Sequence, residues 1–103
     1  MGKDELVAWA LKSGWQMLDG HPSLAKPGRP KEAIVRLAHK ATVVNLEIKN
    51  PSGKWEKMAG ASYAAIHPDP DTGMPRGLGL VSIPGITKLM QENKDSQVFG
   101  NFG

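Results

Sequence analysis

The chain has no cysteine, and its aromatic complement is three Trp, one Tyr and two Phe among 103 residues. Without thiols, disulfides, thiolate zinc sites and cysteine nucleophiles are excluded, and the sequence suits a reducing compartment. No run approaches the roughly 18 consecutive apolar residues of a membrane-spanning helix. Asp4 and Glu5 occupy the place where a secretory leader carries Lys or Arg. The expectation is a cytoplasmic protein with no membrane partner.

Catalytic signatures are lacking as well. His21, His39 and His67 form no His-x-x-His, His-x-x-x-His or His-Glu-x-x-His spacing, so no metal site is expected. No serine stands in a Gly-x-Ser-x-Gly elbow. Gly77-Leu78-Gly79-Leu80 lacks both the spacing and the trailing Lys-Ser/Thr of a phosphate loop. His67-Pro68-Asp69-Pro70-Asp71 fails as an EF-hand, because Leu80 stands where the twelfth-position Glu belongs. No catalytic residue and no cofactor are assigned, and the sequence leans away from an enzyme.

What is present is an ordinary globular balance, 40% hydrophobic and 22% charged, with 12 Gly and 8 Pro that predict long turns. The net charge of +3 is unevenly spread. Residues 21–60 hold eight cations and three carboxylates, whereas the segments on either side are each slightly acidic. Should those cations meet in space, they form a field that attracts an anionic partner.

The hydrophobic pattern predicts an α+β fold with two N-terminal helices, a three-stranded antiparallel meander, a short C-terminal helix and an extended tail. The first helix starts at Asp4-Glu5, with Gly14 as an interruption and Asp19-Gly20 as its stop. Residues 20–29 read as a loop. Pro30 then begins a second helix carrying Ile34, Leu37, Ala38 and Ala41 at i, i+3, i+4, i+7. Val44, Leu46 and Ile48 alternate with Asn45, Glu47 and Lys49 as a strand. A second strand follows the Asn50–Gly53 turn, and Gly77 to Ile83 forms the third. Pro84 opens the last helix. Residues 1–94 are expected to form one domain, and 95–103 a flexible tail.

Lys26-Pro27-Gly28-Arg29-Pro30-Lys31 resembles the core of the AT-hook, a minor-groove-binding peptide built on Gly-Arg-Pro after a preceding cation. Gly28, Arg29 and Pro30 match that core. Pro27 precedes it, and Lys26 stands one residue further away than the pattern asks. The resemblance covers six residues and implies contact with A·T-rich DNA. The same letters also serve as the start of the second helix, with Gly28 in the turn and Pro30 at the first helical position, and this architectural reading is preferred.

Two functional expectations follow. The first is a small non-catalytic protein-binding or accessory module, including self-association, with Phe99 and Phe102 docking on a protein partner. The alternative is a nucleic-acid-binding domain using the basic segment 26–57. Its contacts would be Arg29, Lys31, Arg36, Lys40, Lys54 and Lys57, with Trp55 as a base-stacking residue.

Overall fold

A computed structural model describes residues 1–99, with side chains described through Gln97. One N-terminal helix, α1 (Lys3–Lys12), leads into a five-stranded antiparallel sheet: β1 (Gln16–Leu18), β2 (His21–Lys26), β3 (Arg29–His39), β4 (Val43–Lys49) and β5 (Trp55–Ser62). The strands lie in chain order, each paired with the next. A small ribbon of β6 (His67–Pro68) and β7 (Pro75–Arg76) follows, and then α2 (Ile86–Phe99). No helix among the described residues is long and apolar enough to cross a membrane.

This corrects the sequence expectation of two N-terminal helices and a three-stranded meander. The predicted second helix is the longest strand, β3. Ile34, Leu37 and Ala38 do fall on a helical stripe, but Val35 and Leu37 also fall on one face of a strand. The strand wins because β3 is central: β2 and β4 hydrogen-bond both its edges. Leu37 and Ala38, on opposite faces, are both buried, so no clean alternation survives in the letters. The predicted loop at 20–29 holds β2. The predicted third strand fails because Gly77 and Gly79 sit at φ +109° and +67°, and only a 3-10 turn at Leu80–Ser82 forms there. The last helix runs on through Asp95–Phe99, where a tail was expected. Val44–Lys49 is a strand, and Asn50–Gly53 a turn, as the alternation indicated.

One sheet face carries the core: Leu24, Val35, Leu37, Val44 and Leu46 are all at most 3% exposed. Leu6 and Ala10 of α1, Trp15, and Ile86 and Met90 of α2 close over them with Tyr63, Ile66, Leu78 and Leu80. Acidic Asp4 and Glu5 in the first turn of α1 suit its positive end.

Two contacts hold α2 to the sheet. Asn93 is 6% exposed, and its Oδ1 accepts from the Ala25 N–H (2.8 Å) while its Nδ2 donates to the Ala25 carbonyl (3.1 Å). β1 stops pairing at Ser23, so this one side chain supplies what a neighbouring strand would have given. Gly14, at φ +100°, then lets the chain pass against α2. A Cβ there would collide with the Met90 carbonyl oxygen. Gln97 adds a donor to the Gly14 carbonyl at 2.7 Å.

Asn93→Ala is expected to destabilise the fold by about 3 kcal/mol, since a buried N–H and a buried C=O lose their partner together. Gly14→Ala is expected to cost well over the roughly 1–2 kcal/mol of a left-handed residue, because backbone must move. Urea denaturation with an unchanged m-value checks both.

Candidate functional site

In an antiparallel meander alternate turns lie at the same end of the sheet. Here the β2–β3 and β4–β5 turns share one end, and the β1–β2 and β3–β4 turns share the other. The β2–β3 turn is the Lys26–Lys31 stretch itself. Lys26 pairs with Arg29 across a two-residue Pro27-Gly28 loop, with Gly28 at φ +79°. Proline followed by a left-handed glycine is type II turn chemistry. The stretch therefore starts no helix; it is a hairpin tip. Pro30, Lys31 and Glu32 bulge between the Lys26–Arg29 and Ala25–Ala33 pairs, and Gln16 Nε2 ties the Pro30 carbonyl at 2.8 Å.

The neighbouring tip is held by Asn50. Its side chain accepts from the Lys54 N–H (2.9 Å) and donates to Glu56 (2.9 Å), while Gly53 takes φ +83°. The two tips bring Lys26, Arg29, Lys31, Lys49 and Lys54 to one end, against Glu32 and Glu56. Five cations against two carboxylates leave a net +3 there. Arg29 meets Glu32 at 3.7 Å with both side chains well exposed, a weak surface pair. Beside this end, α2 is neutral: Lys88 and Lys94 balance Glu92 and Asp95. A cleft of about 420 Å³ separates α2 from the first tip, but the Gln16 and Asn93 side chains along it already bond the protein's own backbone.

The sequence-predicted contacts divide. Lys57 extends its side chain along β5 towards Gly60, while Arg29, Lys31 and Lys54 share the basic end. Lys40 does not, for it sits in the β3–β4 turn at the far end. Arg36 is committed within the protein. Its Nε donates to Glu47 at 2.6 Å, the two side chains are 23% and 16% exposed, and its guanidinium lies 4.1 Å from the Trp55 ring centroid. Lys49 approaches the same ring at 5.4 Å, so Trp55 is half-buried and already engaged by cations. Lys57 stands opposite Glu47 and lies across Gly60, where a Cβ would come within 2.9 Å of its Cε. Lys26 and Lys49 are members that the sequence reading missed; the turn spacing that places them was legible only once 20–29 was known to contain a strand. The side chain of Phe99 and the whole of Phe102 lie outside the described residues.

The far end carries different groups. The Nδ1 atoms of His21 and His39 approach to 3.2 Å with their rings edge to face. Burial, then the charges of His39 and Arg36, push the His21 imidazole below its usual range, with Glu47 and Asp19 acting in the opposite sense.

His67, Asp69 and Asp71 do not assemble a reactive site. Asp69 organises its own turn: Oδ1 accepts from the Asp71 and Thr72 N–H groups at 2.8 and 3.1 Å, and Oδ2 accepts from Arg76 at 2.6 Å. Those bonds, the backbone ones foremost, hold its pKa at about 2. No protein-family model matches the chain, and neither curated proteins nor solved structures give a match.

Because the Asp69 pKa is depressed, the order it confers is complete above the ordinary value of 3.8 and is lost as pH falls through about 2. The amide shifts of Asp71 and Thr72, followed by NMR from pH 5 to pH 1.5, are expected to titrate near the lower value. A midpoint near the ordinary one would contradict this arrangement.

Proposed function

We propose that the protein is a non-catalytic nucleic-acid-binding module whose contact surface is the basic end of the sheet. The observation that carries the reading is that the meander places five cations on two hairpin tips at one end of the sheet. Four strands, β2 to β5, span about 14 Å at ~4.8 Å spacing. That is wide enough to face several phosphates at once, since duplex DNA presents one charge per roughly 1.7 Å of axis.

A protein partner is the weaker reading of the same surface. Protein interfaces gain most of their energy from a few apolar or aromatic anchors seated in pockets. Among the described residues the exposed large hydrophobics are Leu11, Met17, Val43, Met58 and Val81, and none stands on either basic tip. Trp55, the aromatic residue at this end, is covered by Arg36 and Lys49. A surface with charge and no exposed anchor favours phosphates, and it favours binding by backbone contact over base stacking. The AT-hook likeness weakens at the same time, because Gly28 and Arg29 are fixed in a hairpin whose strands pair on either side.

Salt dependence tests this. With four or five phosphates engaged, log affinity against log salt is expected to fall with a slope of about −3.6 to −4.5 on duplex DNA and about −2.8 to −3.5 on single strands. Lys49→Ala and Lys54→Ala are each expected to flatten the slope by about 0.9. Lys40→Ala removes the same charge from the far end and is expected to leave the slope unchanged. Fluorescence anisotropy between ~50 and ~200 mM salt reads all of these. Equal effects from Lys40 and Lys54 would reduce the binding to net charge, and no binding to any probe would return a protein partner to first place.

A further inference from the structure

The histidine pair at the far end takes no part in the reading above. We propose that His21 and His39 form a two-imidazole binding site for a late first-row divalent cation, copper(II) above all, held by both Nδ1 atoms. His21 opens β2 and His39 closes β3, and the antiparallel pairing of these strands brings both to one end of the sheet. Their Nδ1 atoms are 3.2 Å apart and their planes stand at 86°.

That separation suits a hydrogen bond, and it also suits a chelate. An ion with nitrogen bonds of about 2.0–2.1 Å holds two ligands about 3.3–3.4 Å apart in tetrahedral geometry and about 2.9 Å apart in square-planar geometry. The observed distance lies between these limits; to chelate, each ring turns so that its Nδ1 lone pair points at a common ion instead of along the N–N line, and each imidazole then carries its proton on Nε2. Imidazole coordinates through either nitrogen. Both residues are partly exposed, so open coordination positions face water. No group of three His, Asp or Glu side chains suited to a metal forms among the described residues, and the Glu47 carboxylate is held by Arg36 at 2.6 Å. The site is therefore a two-donor chelate completed by water. Among divalent ions its preference follows the order that places copper above nickel and zinc.

The test is titration of the full chain with copper(II) chloride, followed by electron paramagnetic resonance and calorimetry. The expected result is one ion per chain with hyperfine coupling to two nitrogens, and weaker binding of zinc chloride. His21→Ala and His39→Ala are each expected to lower copper affinity at least about tenfold and to remove one nitrogen from the spectrum. His67→Ala, on the separate β6–β7 ribbon, is expected to change neither. Circular dichroism establishes that the variants fold; if His21→Ala does not, His39→Ala and the wild-type nitrogen count decide. Absence of copper binding, a single-nitrogen spectrum, or undiminished binding in the histidine variants overturns the proposal.

Discussion

Strand β2 outlasts strand β1, and the arrangement of the rest follows from how that mismatch is closed. β1 pairs with β2 only from Leu18–His21 to Gln16–Ser23. Beyond Ser23 the Ala25 peptide turns inward with a donor and an acceptor that would otherwise be buried without partners. Asn93 meets both with one side chain, because its amide carries an acceptor oxygen and a donor nitrogen. Asn93 also donates to the Leu89 carbonyl at 2.9 Å, so the amide is pinned to its own helix while it bridges to the sheet. α2 is thereby fixed at the β1–β2 edge. Its Ile86 and Met90 then complete the core, and its backbone comes close enough to Gly14 that only glycine fits. Helix placement, core closure and the sharp path between α1 and β1 are one linked constraint.

Where the letters carried a single period, they were legible. The alternation of Val44 to Lys49 and the turn chemistry of Asn50-Pro51-Ser52-Gly53 appear in the structure as read. The failures cluster where two periods overlap or where burial is two-sided. Ala33-Ile34-Val35-Arg36-Leu37-Ala38 satisfies a helical stripe, yet Ile34 and Val35 are β-branched, and the segment lies between two strands with apolar groups needed on both faces. His21-Pro22-Ser23-Leu24 falls in the 20–29 stretch that read as loop because it holds two prolines and two glycines. Ser23 is 1% exposed there, and its hydroxyl donates to the His21 carbonyl at 2.9 Å, which removes the cost of burying it. The requirement for Asn93 had no local signal, since its partner lies 68 residues away.

The charged residues show a different limit. Composition placed the cations in residues 21–60 but could not say which of them are free. Arg36 was one of the predicted contacts, and the fold uses it internally. Glu47 neutralises it, and its guanidinium covers the ring that a base would have needed. A buried or half-buried ion pair of this kind binds its own partner first, because breaking it would strand a carboxylate of low exposure. Candidate contacts read from sequence therefore need subtraction as well as addition.

The topology supplies the rule for that sorting. In a meander, each residue's end of the sheet is set by the parity of the turn it adjoins. Turns at 19–20 and 40–42 adjoin Asp19, His21, His39 and Lys40, a nearly neutral set with two imidazoles. Turns at 27–28 and 50–54 adjoin Lys26, Arg29, Lys31, Lys49 and Lys54. A charge excess that looks like one basic segment along the chain is thus divided by alternate reversals into a strongly cationic end and an end where histidines meet. Had one strand been added or removed between the two basic turns, the same residues would stand on opposite ends of the sheet and face different solvent. The strand that does this sorting, β3, is the one whose sequence most resembled a helix, so its misreading hid the cationic end of the sheet and the fold together.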